Sequence, residues 1–265
     1  MIIDTEIKRK VEEILQKKNE SVIELVWQHL PKGFSNEKYI ITNKENNPLY
    51  IFKRYLDDSI ISPYERLRNE KKALKFIDNN LCPQLVWENG KDSIIYAYLT
   101  GKDLLQIQAN SIKQEQIFAL LENIHEKGKN SDAKIEDVLT FYQKLGKNYS
   151  VSLNNHENLL SSYYSVLDKL TTILQNYETT ITYVHGDLVP PNIIFNGTTY
   201  ALLDWEYYRP ELAVFDFEYL LYYAEKHKLP IFYQSDKAEI SYVYQELIKA
   251  MDNLWFENYK LQKNQ

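Results

Sequence analysis

The sequence predicts an α+β fold of two lobes: a small one with an antiparallel β-sheet and one long helix, and a larger, mainly α-helical one. Two observations predict it. Before residue 100, short extended segments are separated by turn signals, and beyond it apolar residues recur at helical spacing over long stretches. With 265 residues, 44% of them hydrophobic, the chain can bury cores for both lobes. We expect an N-terminal lobe over residues 1–99 and a C-terminal lobe over residues 100–265.

The N-terminal lobe should begin with an amphipathic helix over residues 5–18, where apolar side chains recur at helical spacing. Extended segments follow, and Asn46-Asn47-Pro48 and Asn89-Gly90 are typical of turns between them. One strongly patterned helix interrupts the strands. The predicted strands cover residues 21–27, 39–42, 49–55, 85–88 and 93–99, and the interrupting helix covers residues 64–77.

Beyond Thr100-Gly101 the pattern changes to long helical segments. Short apolar pieces around loops interrupt them at residues 182–185, 193–195 and 200–204. The predicted helices cover residues 111–126, 134–146, 157–176, 215–225 and 237–259. The second lobe is therefore expected to be mostly α-helical.

Two charged residues of the N-terminal lobe are predicted to face its core. In the strand 49–55, alternation places Lys53 on an otherwise apolar face, and in the following helix Glu70 falls on the apolar stripe. Because an unpaired buried charge is strongly destabilising, we expect the two to pair, and holding a phosphate would be a reason for the pair. The alternative is that Lys53 reaches water and Glu70 lies at the edge of the core.

The segment 183–206 carries the residues on which a functional prediction depends. His185, Asp187, Asn192 and Asp204 all fall on short loops next to apolar pieces, where side chains can converge. Phosphoryl transfer needs oxygen ligands for Mg²⁺ and a carboxylate beside the attacking hydroxyl, and this set offers both. Any one of the Asp and Asn residues alone is equally a turn former or a helix cap.

The run His185-Gly-Asp187-x-x-x-x-Asn192, followed by Leu203-Asp204-Trp-Glu, resembles the catalytic and metal-binding loops of the aminoglycoside phosphotransferase and choline kinase superfamily, relatives of protein kinases. The resemblance implies a protein-kinase-like bilobal fold, with ATP or GTP and Mg²⁺ as cofactors. It also implies that Asp187 is the catalytic base or hydroxyl-orienting carboxylate and that His185 braces the catalytic loop. Asn192 and Asp204 would hold Mg²⁺.

The same resemblance extends to the nucleotide site. Lys53 and Glu70 match the family's phosphate-positioning lysine and its helix glutamate. Residues 94–99 match the hinge strand whose backbone receives the adenine, so Tyr98 and Leu99 are candidate contacts of the base.

The loop expected to cover the nucleotide, residues 31–39, contains a single glycine, Gly33. Its Gly-Phe-Ser-Asn run is more similar to the loop of choline and thiamine kinases than to that of typical aminoglycoside kinases. Ser35 is the residue of this loop that we expect to reach the phosphates.

The acceptor site is suggested by two further stretches. Asp204-Trp-Glu-Tyr207 resembles a sequence of choline kinases in which the tyrosine lines the choline pocket, and Leu254-Trp255 resembles the helix that supplies a tryptophan to that pocket. Tyr207, Trp255 and an acid such as Glu206 would then hold a cationic alcohol, with about 0.5 to 2 kcal/mol per cation–π contact. The alternative for Trp255 is a core position in a C-terminal helix.

Three alternatives remain open. An aminoglycoside or related antibiotic as acceptor would need a broad acidic cleft, for which the candidates are Glu211, Asp216, Glu218 and Glu225. A non-catalytic nucleotide-binding scaffold of the same fold would be expected to lack Asp187 or Asp204. A protein kinase should carry an arginine in place of Gly186 and a long activation segment.

Composition excludes some partners. The net charge of −6 disfavours nucleic acid, whose binding depends on clustered lysine and arginine. No segment approaches the roughly 20 apolar residues of a membrane span, and the charged N-terminal stretch is unlike a signal peptide. We expect a cytoplasmic enzyme that acts on a small-molecule alcohol, and the sequence indicates no oligomeric state.

Overall fold

An antiparallel five-stranded sheet forms the N-terminal part of the computed structural model, which describes residues 5–19, 24–31, 35–57, 60–129, 132–176 and 180–263. The strand order is β1-β2-β3-β5-β4. The strands are β1 (Val26–His29), β2 (Asn36–Thr42), β3 (Pro48–Tyr55), β4 (Leu85–Glu88) and β5 (Ser93–Ala97).

Two helices accompany this sheet, α1 (Thr5–Asn19) and α2 (Pro63–Phe76). Helix α2 begins at Pro63, one residue before the predicted start, because Ser62 caps it: the Ser62 hydroxyl accepts the Glu65 N–H, and Pro63 occupies the first turn, where no N–H is needed. The apolar stripe of α1 packs on the outer face of the sheet, against Ile41, Phe52 and Ile95.

The predicted elements of this lobe are confirmed, with shifted ends. Residues 21–23 of the first predicted strand lie outside the described residues. Strand β5 ends at Ala97, two residues earlier than predicted, while β2 begins at Asn36, three residues earlier, because its ladder with β3 continues to the pair Asn36–Tyr55. The turn before β3 is present, with Asn46 at φ +61°.

The C-terminal part is mainly helical, as predicted. Its helices are α3 (Gln114–Gly128), α4 (Ile135–Ser152), α5 (Glu157–Asn176), α6 (Val214–Lys226) and α7 (Ala238–Lys263). Helix α4 continues past residue 146, where the predicted helix ends, because Gly146 is a packing position: a Cβ there would lie 2.7 Å from a ring carbon of Tyr163 on α5.

Two small antiparallel sheets carry the loops of this lobe. One pairs β7 (Ile181–Val184) with β10 (Arg209–Leu212), and the other has the order β6-β8-β9. The strands of the second are β6 (Lys102–Asp103), β8 (Ile193–Phe195) and β9 (Tyr200–Leu202). Strand β10 was not predicted, since its sequence Arg-Pro-Glu-Leu lacks the alternation of a half-buried strand.

The hydrophobic core is continuous between the two lobes. One apolar cluster includes Tyr55 and Leu67 of the N-terminal part together with Ile124, Leu202 and Leu220 of the C-terminal part. A second cluster joins α4, α5 and α7. The predicted boundary between residues 99 and 100 thus lies just after the last strand of the five-stranded sheet, but apolar side chains from the two sides of this boundary pack together. In the described part of the chain, no helix has the length and apolar character that a bilayer crossing needs.

Candidate active site

The predicted site residues converge at the cleft between the five-stranded sheet and the helical lobe. Asp187 lies just beyond β7, and Asp204 lies just beyond β9. Both loops contain left-handed backbone, at Gly186 (φ +84°) and at Asp204 (φ +66°). For a residue with a side chain this conformation is strained, and such strain is typical of functional sites.

His185 connects the two loops. Its Nε2 donates to the Leu203 carbonyl at 2.8 Å, and its Nδ1 accepts the Asp187 N–H at 3.2 Å. Burial lowers the pKa of His185, so the ring is neutral and carries its proton on Nε2. Both nitrogens are engaged with backbone, and this arrangement suits the bracing role that the resemblance implies.

Asp216, on α6, holds the same loop from behind. Its carboxylate accepts the N–H of His185 at 2.8 Å and that of Gly186 at 3.0 Å, and it contacts His125 Nε2 at 2.9 Å. The sequence suggested Asp216 as a cleft acid or as a cap or first-turn acid of a helix. The structure places it in the first turn of α6, and the cleft interpretation is wrong because the side chain is fully buried.

Gly186 is required by a close approach from β10. A Cβ at this position would lie 2.2 Å from Arg209 Nη1 and 2.3 Å from the Tyr207 carbonyl oxygen. Arg209 is buried, donates to the carbonyls of Gly186 and Tyr207, and packs over the ring of Phe141. Sequence reasoning missed Arg209, since a buried arginine on an unpredicted strand has no local signal.

Asp187 faces the cleft with both carboxylate oxygens in contact with neighbours. Tyr219 donates its hydroxyl to Oδ1 at 3.0 Å, and Asn192 Nδ2 lies 3.3 Å from Oδ2 and 2.9 Å from the Asp187 carbonyl oxygen. Burial, together with the negative charges of Asp204 and Glu206, raises the pKa of Asp187 to about 7. A proton acceptor with a pKa near neutrality suits general base catalysis.

The predicted pairing of Lys53 with Glu70 is confirmed. Both side chains are fully buried, and Lys53 Nζ donates to Glu70 Oε2 at 2.8 Å. Lys53 also lies 3.1 Å from Glu206 Oε2 and forms an ion pair with Asp204. Burial alone would lower the pKa of Lys53, but the carboxylates of Asp204, Glu206 and Glu70 raise it well above its usual range, so the ammonium is always charged.

Asp204 has a second ammonium partner that the sequence did not indicate. Lys38 Nζ donates to Asp204 Oδ2 at 2.8 Å, and Lys53 donates to Oδ1. Against burial, which would raise it, these two charges hold the pKa of Asp204 below its usual range. Lys38 was missed because the strand was predicted to begin at Tyr39, one residue too late to include it.

Oxygen atoms near Asp204 are of the kind that a divalent cation binds. Glu70, Asp204 and Glu206 each offer a carboxylate oxygen within 4.8 Å of one another, and all three carboxylates contact the Lys53 ammonium. The Asn192 amide nitrogen is turned to Asp187, which leaves its carbonyl oxygen on the other side, and the Asn192 backbone carbonyl accepts the Leu203 N–H at 2.9 Å, next to Asp204. Mg²⁺ prefers oxygen donors of this kind.

The other predicted nucleotide contacts are found at the cleft in part. The Ser35 carbonyl accepts the Leu56 N–H and a hydrogen bond from Arg66, and Ser35 lines the cavity described below, whereas Gly33 lies outside the described residues. The Tyr98 N–H donates to the Leu49 carbonyl at 2.9 Å, so this amide is already engaged within the protein. Leu99 follows it, half-buried.

A cavity of about 640 Å³ opens beside Asp187 and includes the three predicted acceptor residues Glu206, Tyr207 and Trp255. Its wall combines aromatic, aliphatic and charged side chains. The aromatic lining residues are Phe141, Tyr149, Tyr207, Tyr219, Tyr223, Trp255 and Phe256. Trp255 is 40% exposed and stacks on Tyr259, so the alternative of a core position is wrong for this residue.

Helix α7 contributes one face to this cavity through Ile248, Met251, Asp252 and Trp255, which recur at helical spacing. The Asp252 carboxylate is already engaged by donors of the protein itself. Its carboxylate accepts the hydroxyls of Tyr222 and Tyr223 at 3.0 and 2.7 Å and the Lys226 ammonium at 2.6 Å.

Glu206 lines the cavity, but its carboxylate is directed to the sheet. Oε2 accepts the Asn36 amide at 3.0 Å and lies 3.1 Å from Lys53 Nζ and 3.9 Å from Arg66. With these partners Glu206 supplies negative charge to the lysine cluster. It is a poorer direct partner for an acceptor cation than the sequence suggested.

The acids that an acidic cleft would need are mostly occupied elsewhere. Glu211 is fully buried and accepts the hydroxyls of Tyr142 and Tyr244, and Glu218 is buried against Ser241 and Gln245. Together with Asp216, three of the four candidate acids are therefore withdrawn from solvent. None of these three lines the cavity beside Asp187.

Comparison with known proteins gives a family match over most of the chain. The sequence profile of a family described as "Phosphotransferase enzyme family" (APH) matches residues 26–239. No curated protein sequence matches the chain at a significant level.

Solved structures share the fold at low sequence identity. Choline kinase LicA from Streptococcus pneumoniae is 20% identical and superposes with a TM-score of 0.66, covering 97% of this chain and 92% of its own. Choline kinase from Cryptosporidium parvum Iowa II is 13% identical, with a TM-score of 0.63 and coverage of 98% and 96%. A thermostable mutant of aminoglycoside phosphotransferase APH(4)-Ia is 13% identical, with a TM-score of 0.63 and coverage of 94% and 93%. The predicted kinase-like fold is confirmed.

Proposed function

The chain belongs to the phosphotransferase enzyme family, and we propose that it transfers the γ-phosphate of ATP to the hydroxyl of a small cationic alcohol of the choline type. One observation carries the proposal. Asp187 lies between a buried lysine–carboxylate cluster on one side and an aromatic cavity on the other, so a phosphate donor and an alcohol can both approach it.

Each group of the cluster has a place in this reaction. As the acceptor oxygen attacks the γ-phosphorus, the new O–P bond forms and the bond to the ADP oxygen breaks, while the hydroxyl proton moves to the Asp187 carboxylate. Tyr219 and Asn192 fix the position of Asp187 through their hydrogen bonds. Lys53, held by Glu70, presents its charge to the phosphates.

A divalent ion would be held by Asp204 and the Asn192 side-chain oxygen, and when bound it supplies positive charge to the phosphates of the nucleotide. Complexes of related folds are consistent with a nucleotide in this cleft: APH(4)-Ia has been solved with ADP and hygromycin B, and LicA with AMP. We extend nucleotide binding to this chain on that basis.

The acceptor cavity favours a compact cation. A quaternary ammonium has no proton to donate, so it binds best to aromatic faces, at about 0.5 to 2 kcal/mol for each cation–π contact. Tyr207 and Trp255 line the cavity that contains Asp187, and their rings can supply such faces. A polycationic aminoglycoside would need several open carboxylates, and the acid on α7, Asp252, is already bonded to Lys226.

The test is a substrate panel with ATP and Mg²⁺, containing choline, ethanolamine, thiamine, methylthioribose and aminoglycosides. We expect choline or a similar amino alcohol to be phosphorylated. We expect Asp187→Asn to lower kcat by about 100-fold to 10,000-fold, the range for loss of a general base, while ATP still raises the melting temperature.

Two outcomes would contradict the proposal. Turnover of aminoglycosides alone would overturn the choline-type acceptor and leave phosphoryl transfer standing. Binding of ATP with no turnover of any acceptor, and no difference between the wild type and Asp187→Asn, would favour a nucleotide-binding scaffold.

A further inference from the structure

Lys38 and Lys53 form an unusual pair on the side of the cleft that the five-stranded sheet provides. They are direct cross-strand partners in the β2–β3 ladder, so their side chains project from the same face of the sheet. Two like charges placed directly opposite each other are destabilising unless an anion lies between them. Asp204 is that anion, since each of its oxygens accepts from one of the two ammonium groups.

The two lysines differ in how firmly they are held. Lys53 has no exposed side-chain surface and has Glu70 and Glu206 as further partners. The Lys38 side chain is 31% exposed, and within the described residues its one ion pair is with Asp204. If a cation competes for the oxygens of Asp204, Lys38 is the partner that gives way.

From these contacts we infer that Lys38 is a second phosphate-binding lysine, which competes with the divalent ion for Asp204 and binds the triphosphate once the ion is in place. The inference rests on the proposed function. Asp204 Oδ2 holds the Lys38 ammonium, and a divalent ion that took this oxygen would displace the lysine. Once the Lys38 ammonium leaves Asp204, it lies on β2 beside the loop that contains Ser35, where the phosphates of a bound nucleotide would offer it a new anion. Lysine binds phosphate as a point charge.

The inference predicts two changes of opposite direction in the variant Lys38→Met. Mn²⁺ binding to the full chain without nucleotide, measured by electron paramagnetic resonance, should tighten about threefold, since a partly exposed ammonium no longer competes for Asp204. ATP binding at saturating Mg²⁺, followed with a fluorescent analogue, should weaken about tenfold through loss of one charge-assisted hydrogen bond.

Two further variants control this experiment. Lys38→Arg keeps the charge and should bind ATP at saturating Mg²⁺ nearly as well as the wild type. Lys44→Met removes a lysine of the same sheet region whose partner is the exposed Glu24, and it should change neither affinity.

Each outcome decides one part of the inference. Mn²⁺ affinity that is unchanged or weaker in Lys38→Met overturns the competition for Asp204. ATP affinity that is unchanged overturns the phosphate contact. If Mn²⁺ and ATP affinity are both lost and the melting temperature falls, the ion pair is purely structural, and both parts of the inference are overturned. If the wild type binds no nucleotide at all, the proposed function fails together with the phosphate contact, and the Mn²⁺ titration still decides the competition.

Discussion

The two sides of the cleft hold their polar groups in different ways. On the sheet side, Lys53 is fully buried among three carboxylates, and each charge has an opposite charge within contact distance. On the helical side, the cavity wall includes aromatic side chains, and its acid Asp252 is bonded to Lys226. In the proposed function, preorganised charge would bind the phosphates, and shape and aromatic faces would bind the acceptor. Selectivity for the acceptor can therefore change without altering the groups that carry the chemistry.

The largest expected effect tests the preorganised side. Lys53→Met leaves Glu70, Asp204 and Glu206 without their central cation. Removing one partner of a buried ion pair costs about 3 to 5 kcal/mol, because the buried Glu70 carboxylate loses its ammonium partner. We expect a loss of that size in the free energy of unfolding, measured with urea.

Lys44→Met is the matched control, since Lys44 and its partner Glu24 are both more than half exposed. It should leave the unfolding midpoint unchanged. Equal stability of the two variants would show that the charges on the sheet side are hydrated rather than tightly coupled, and the contrast between the two sides would disappear.

The next effect tests the aromatic side. Trp255→Ala should raise KM for a cationic acceptor by about 2-fold to 30-fold, which corresponds to a cation–π contact of about 0.5 to 2 kcal/mol. KM for ATP should stay the same, because Trp255 lies on α7, whereas the lysine cluster is built from β3, α2 and the loop after β9. Steady-state kinetics with each substrate varied in turn measures both values.

Two variants sharpen this test. Trp255→Phe keeps an aromatic face and should recover most of the acceptor affinity. Phe232→Ala removes a more exposed ring that is not part of the cavity and should have no effect on either KM. A rise in KM for ATP as large as that for the acceptor would argue against separate sides.

The smallest effect concerns Asp187, where the two sides meet. Because its pKa is raised to about 7, the ionised form that accepts a proton is lost as the pH falls through neutrality, and kcat/KM should fall with it. The Tyr219 hydroxyl stabilises the ionised carboxylate, so Tyr219→Phe should move this acid limb to higher pH.

A pH–rate profile measures that shift. Tyr242→Phe, on an exposed tyrosine bonded to Glu246, is its control and should leave the profile in place. A limb that stays fixed, or moves to lower pH, in Tyr219→Phe would mean that another group governs the profile.

Local patterns predicted most of the fold. Helix α5 was predicted with its observed bounds because its apolar stripe is regular from end to end, and the inward positions of Lys53 and Glu70 followed from periods of two and 3.6. The ends of the elements were harder to predict, since a strand ends where its partner strand ends. Strand β2 begins at Asn36 because β3 offers it a partner there, and that extension carries Lys38 into the cleft.

By itself, the sequence determined the order and type of the elements and the loop residues that can hold a metal or accept a proton, because these depend on periodicity and on the chemistry of residues close in the chain. Tertiary structure alone decided which acids are available. Nothing in the local sequence distinguishes Glu211 and Asp216 from solvent-exposed acids. Both are buried against partners, Tyr142 and His125, that lie more than 60 residues away in the chain. The roles of Asp252, Lys38 and Arg209 were decided in the same way, since charge in a folded protein is set by the neighbours that folding supplies.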